Sequence, residues 1–149
     1  MKARLTIIFT LIALLVIGVL WSVVRKSAPN ENNNPEPDKD VAANGNIKLF
    51  SPLPNGVIHS PVSVRGEARG NWYFEASFPV RLEDANGKII IQTHAEAKGD
   101  WMTTNFVPFE LDLSFGAPQT DTGFLVLEND NPSGLPENHK ELRIPVRFK

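Results

Sequence analysis

Tyr73-Phe74-Glu75-Ala76-Ser77-Phe78-Pro79-Val80-Arg81-Leu82-Glu83 is the stretch whose reading decides the fold. Phe74, Ala76, Phe78, Val80 and Leu82 alternate with Tyr73, Glu75, Ser77, Arg81 and Glu83. A period of two turns successive side chains to opposite faces, as in a strand with one face buried. On this parity Tyr73 and Glu75 point outward, and Trp72, in phase with Phe74, points into a core. Phe109, Leu111, Leu113 and Phe115 repeat the pattern against Glu110, Asp112 and Ser114, as do Leu142, Ile144, Val146 and Phe148 against Glu141, Arg143 and Arg147. From Ile47 onward no stretch places apolar residues at helical spacing.

The alternation predicts seven strands: Ile47 to Phe50, Pro61 to Ala68, Tyr73 to Glu83, Lys88 to Ala97, Phe106 to Ser114, Gly123 to Glu128 and Glu141 to Phe148. Turn residues separate them. Asn86-Gly87 suits a tight hairpin, which needs positive φ. Pro52, Pro54 and Pro61 bracket Asn55-Gly56, and Asn131-Pro132-Ser133-Gly134 with Pro136 breaks the chain before the last strand. Seven short strands in about 100 residues predict an all-β, immunoglobulin-like two-sheet sandwich. With no Cys in the chain, apolar packing has to hold the sheets together. Pro79 and Pro145 donate no ladder hydrogen bond, so their nitrogens should face an edge or an irregularity.

The N-terminal part reads differently. Leu5 to Val24 is an uncharged apolar run, fenced by Lys2 and Arg4 before it and by Arg25 and Lys26 after it. As a helix it would extend about 30 Å, enough to cross a bilayer. No A-x-A-like cleavage pattern follows, and Trp21 lies near one end, where an interfacial indole is favoured. Residues 1–26 are therefore expected to be a retained signal anchor, a single transmembrane helix. Residues 27–46, rich in Asn, Pro, Glu and Asp, are expected to be a disordered linker with ends roughly 25 Å apart. The basic flanks nearly balance. The short N-terminal tail and the acidic side chains beyond the run tip the expectation toward an extracytoplasmic C-terminal domain at the cell membrane.

That domain, residues 47–149, carries ten Lys or Arg against thirteen Asp or Glu, a net charge of −3. A nucleic-acid platform needs clustered positive charge, so nucleic acid is excluded as a partner. Catalytic and metal patterns are missing as well. His59, His94 and His139 are dispersed, and His94-Ala95-Glu96 has no P-C-x-x-C partner. Ser residues lack a nucleophile elbow. Glu110 and Asp112 share a strand face and could pair as acid and base, but the reading preferred is the charged outer face of a sandwich strand. Neither an enzyme nor a cofactor is expected.

The phrases Ser51-Pro52-Leu53-Pro54-Asn55-Gly56, Ser60-Pro61, Val64-Arg65-Gly66-Glu67-Ala68, Trp72-Tyr73-Phe74-Glu75-Ala76 and Asp84-Ala85-Asn86-Gly87 follow one another in order. Gly99-Asp100-Trp101-Met102-Thr103, Phe109 and the segment from Gly123 to Gly134 continue the succession. It resembles a bacterial immunoglobulin-like domain family, the second of those associated with the spore-germination GerMN domain, over nearly all of Ile47 to Lys149. The resemblance implies a β-sandwich in an envelope-exposed bacterial protein, with a role in binding or assembly and without catalytic residues.

Binding candidates come from exposed aromatic and polar groups. Tyr73 and Trp101 could form a platform for a sugar or peptide, with Glu75 beside Tyr73. Alternatively Trp101 and Met102 plug one open end of the sandwich. Asp130 and Asn131 lie in the loop Asn129 to Gly134, which faintly echoes a calcium loop but has too few oxygen ligands at fixed spacing. Hydrogen-bonded turns explain that loop equally. The expected function is a membrane-anchored, non-catalytic interaction module whose partner is an envelope protein or cell-wall glycan. The alternative is a structural spacer or assembly subunit associating through sheet edges.

Overall fold

The computed structural model describes residues 42–149. The expected anchor, with its run from Leu5 to Val24, and the linker up to Val41 lie outside the described residues. Among the described residues no helix is long and apolar enough to cross a membrane. They form nine strands: β1 (Ala42–Asn44), β2 (Ile47–Ser51), β3 (Gly56–Ile58), β4 (Val62–Arg69), β5 (Ser77–Asp84), β6 (Ile89–Ala97), β7 (Phe106–Leu113), β8 (Thr122–Glu128) and β9 (Glu141–Phe148). Two short 3-10 turns, Gly70–Trp72 and Pro136–Asn138, complete the secondary structure.

Seven of these strands are the expected ones, and β1 and β3 are additions. β1 lies inside the segment expected to be linker, so strand pairing extends at least as far back as Ala42. Ala42, Ala43 and Asn44 pair with Leu49, Lys48 and Ile47. The Asn44 Oδ1 accepts the N–H groups of Asn46 (2.9 Å) and Ile47 (3.1 Å), closing the turn between the strands. Backbone pairing with an existing edge orders this stretch without any large apolar side chain.

The strand order is β1-β2-β4-β7-β6-β5-β8-β9-β3. The order bends into two layers at its weakest seam, where β6 and β7 share only the pairs Glu96↔Glu110 and Ala97↔Phe109. β2, β4 and β7 take the A, B and E places of an immunoglobulin sheet, and β5, β8 and β9 take C, F and G. β6 lies in the C′ place beside β5, and β3 runs parallel to β9 along the opposite border. Among the described residues, Ile89–Ala95 of β6 have no strand on the side away from β5. Pro145 accepts the Asn55 N–H at 2.7 Å, so its own nitrogen faces that border, as expected of a strand proline. Pro79 lies one residue beyond the last β5–β8 pair, Val80↔Leu127.

A single apolar cluster fills the space between the layers, drawing Ile47, Leu49, Val64 and Phe109 from one and Phe78, Val80, Leu82, Leu125 and Ile144 from the other. Phe78 on β5 meets Phe109 on β7 edge to face, with ring centroids 5.0 Å apart. Gly66 makes the aromatic contact possible: a Cβ there would come within 2.6 Å of the Phe109 ring and would also strike the Lys48 carbonyl oxygen.

Candidate functional site

Three connections meet at one end of the sandwich: β4–β5 (70–76), β6–β7 (98–105) and β8–β9 (129–140). In the first, the Gly70–Trp72 turn sinks Trp72 into the core. Its carbonyl accepts the Asp130 N–H at 2.9 Å, which ties this connection to the third. Gly70 lies under the carbonyls of Trp101 and Thr103, where a Cβ would overlap both. The second connection is thereby held to the first.

The alternation at Tyr73 and Phe74 runs opposite to expectation. Tyr73 is buried, only 4% exposed, while Phe74 is 42% exposed. The physical reason is a two-residue reversal: Phe74 and Ser77 exchange N–H···O bonds of 3.0 and 3.1 Å, and Glu75 (φ 48°) and Ala76 (φ 64°) both take the left-handed conformation. Two consecutive positive φ values are what a tight primed turn requires. Regular strand therefore starts only at Ser77, and parity read backward through the turn fails. The Tyr73 hydroxyl donates to the Val107 carbonyl at 2.8 Å, and its ring lies edge-on to Phe78 at 5.2 Å. Burial foremost, and the nearby Glu67 charge, push its pKa up. Tyr73 thus belongs to the core and gives no exposed platform with Trp101.

Trp101 is half-buried and packs against the core, whereas Met102 is 77% exposed and plugs nothing. Asp130 and Asn131 lie in a shallow cleft of about 340 Å³, lined also by Asn71, Asn129, Asn138 and Lys140. Glu75 and Trp101 do not line it. The loop braces itself: Asn129 Oδ1 accepts the Lys140 N–H (2.6 Å), Asn131 Nδ2 donates to the Leu135 carbonyl (2.9 Å), and the Ser133 hydroxyl donates to Asn131 Oδ1 (2.6 Å). Asn131 Oδ1 is therefore occupied by a loop donor, in keeping with a hydrogen-bonded turn. The side chains of Asn71, Asp130 and Lys140 make no hydrogen bond or ion pair among the described residues. Asn71 escaped the sequence reading because the Asp130 N–H to Trp72 tie brings its connection to this loop only in the fold, and Lys140 because it returns to the loop's start only through its pairing with Asn129.

Beside this loop, the outer face of β5, β8 and β9 carries a charge network. Arg81 bonds Glu83 (2.5 Å), Glu128 and Glu141 (3.2 Å), and Arg143 bonds the other oxygen of Glu83 at 2.7 Å. Burial works against both charged forms, yet the ion-paired hydrogen bonds win. They lower the Glu83 pKa and raise that of Arg81. His139 approaches Glu128 (3.8 Å) and Glu141 (3.9 Å), so three potential metal-ligating side chains converge. Arg81 already lies on both carboxylates, a poor environment for a cation. Sequence reading left His139 isolated because the cluster exists only once Glu128 pairs with Glu141 across β8–β9.

A β-sandwich with immunoglobulin strand places, a core tryptophan in the β4–β5 connection and a loop-borne cleft is now in view. Residues 46–134 match the Gmad2 family, the immunoglobulin-like domain of bacterial spore germination. The chain belongs to this family. No curated protein and no solved structure matches it. The Gmad2 match ends at Gly134, inside the β8–β9 loop, so β9 lies beyond it, a shorter span than the resemblance running to Lys149 that the sequence suggested.

Proposed function

We propose that this Gmad2 domain is a non-catalytic binding module of the bacterial cell envelope, held at the membrane by Leu5 to Val24 with its β-sandwich on the extracytoplasmic side. Its partner is an envelope protein or a cell-wall glycan, engaged at the loop end. The observation that carries this reading is the cleft in which the side chains of Asn71, Asp130 and Lys140 have no partner among the described residues, beside a loop braced by Asn129, Asn131 and Ser133. Groups held in place before a ligand arrives lose little entropy on binding. An acid, an amide and an ammonium suit a polar, hydroxyl- or amide-bearing ligand. The length of the uncharged apolar run and the family's description support the envelope setting.

The test is crosslinking in intact cells together with sedimentation on isolated cell walls. The wild-type chain should yield one discrete envelope adduct or cosediment with wall glycan. Asp130→Ala combined with Lys140→Ala should lose at least about tenfold of that signal with an unchanged melting temperature. Equal capture by the double variant would overturn the loop end as the binding site, and adducts confined to cytosolic proteins would overturn the envelope setting. The reading of the chain as an assembly subunit draws on a different feature, the open side of β6.

A further inference from the structure

We propose that the free edge of β6, Ile89–Ala95, is a homodimerisation surface on which a second copy of this chain pairs antiparallel, β6 against β6. Among the described residues, the backbone groups of this segment that point away from β5 meet no strand, since β7 reaches β6 only at Glu96 and Ala97. An unpaired row of N–H and C=O groups is a template for another strand unless the protein blunts it with charge, proline or brevity. The borders β1 and β3 are blunted by length, having three residues each, and the open side of β7, which meets β6 only at Phe109 and Glu110, belongs to a strand that carries Pro108, Glu110 and Asp112. Ile89-Ile90-Ile91-Gln92-Thr93-His94-Ala95 has none of these devices: it contains no Lys, Arg, Asp, Glu or Pro, and Ile89 is 49% exposed. One bulge interrupts it, between Leu82 and Glu83 of the β5 pairing, at the hairpin end.

Charge chooses the occupant. Glu96 lies directly opposite Glu110 across the β6–β7 seam, and neither carboxylate has an ion pair among the described residues. Directly opposed like charges are destabilising. Lys88, at the other end of the open segment, also has no ion pair among the described residues. A two-fold copy centred on Gln92 pairs Ile90 with His94 and Ile91 with Thr93, stops short of the Glu96↔Glu110 pair that β7 fills, and leaves the Lys88 of each protomer at the acidic end of the other's open segment. A copy centred on Thr93 would instead set Lys88 against Lys98 and would need the Ala97 edge, which β7 already fills. The Gln92 register keeps its pairing on the open segment and sets opposite charges at both of its ends, so a second copy of this chain satisfies the edge.

The natural chain has no Cys, so one introduced thiol reports only contacts between copies. In the full-length chain in detergent micelles, Gln92→Cys should oxidise to a disulfide-linked dimer, because residues directly opposite across antiparallel strands have Cβ atoms about 5 Å apart. Arg65→Cys, on the outer face of β4, should remain monomeric. Gln92→Lys should weaken sedimentation-equilibrium dimerisation at least about tenfold with an unchanged circular dichroism spectrum. Asp130→Ala with Lys140→Ala should leave the dimer intact, so this surface and the loop-end cleft fail independently. A monomer at every concentration tested, equal crosslinking of the two thiol variants, or a dimer that survives Gln92→Lys would each overturn the proposal.

Discussion

Tyr73 shows how far one side chain's position depends on two neighbours' backbone angles. The residue types of Tyr73 and Phe74 fit either face of a strand, and only the left-handed Glu75 and Ala76 put the tyrosine inside. Nothing in Glu-Ala advertises a primed turn as Asn-Gly would, which is why the parity was unreadable there while Trp72 in the core was legible. The buried hydroxyl bond to Val107 has a measurable consequence. Tyr73→Phe should cost about 1–3 kcal/mol in urea unfolding at neutral pH, since the buried Val107 carbonyl loses its donor. The Tyr73 pKa is raised in the folded state. Its contribution is therefore whole below its ordinary value of about 10 and is lost as the pH climbs from there toward the raised one. The phenylalanine variant should accordingly lose less stability than wild type between about pH 9 and 11.

At the level of the elements, β5, β8 and β9 are bound on their outer face by ionic contacts. Val126, central on that face, is fully buried even though it points away from the main cluster. Arg81 and Arg143, its cross-strand neighbours, flank it, and their guanidinium groups converge on Glu83. Glu83 has a lowered pKa, so its contribution is complete above the ordinary value of about 4.5 and disappears as the pH falls through the lowered one. Glu83→Gln should cost about 2 kcal/mol at neutral pH and flatten the acid limb of the stability curve, measured by denaturant titration from about pH 6 to 3. The long strands were legible because eight or so residues give the alternation room to register. β1 and β3 were not, since three residues beside Pro or Gly carry no period, and their place comes from the edge that each one covers. The cleft was half legible: Asp130 and Asn131 announced a loop, but their companions come from distant positions.

For the molecule as a whole, the fold class was written in the alternation, and the pairing order was not. The last strand makes the point. The family match stops at Gly134, yet Ile144 and Val146 of β9 are buried in the common core, and β9 pairs along its length with β8. A fragment of residues 46–134 should therefore lack a cooperative thermal transition, whereas residues 42–149 should melt in one step by calorimetry. A domain of about 100 residues has too little core to spare a strand.

The parallel contact of β3 with β9 bears on how the domain carries mechanical load. The domain passes through β3 early, at Gly56–Ile58, and leaves through β9 at Phe148. Traction between the N-terminal side and the C-terminus therefore drags these two strands in opposite senses along their length. The rungs between Gly56–Ile58 and Val146–Phe148 are strained in shear all together. The antiparallel β1–β2 hairpin upstream has no such protection and peels one rung at a time, so under tension it gives way as a short slack-absorbing lead while the sandwich behind it stays closed.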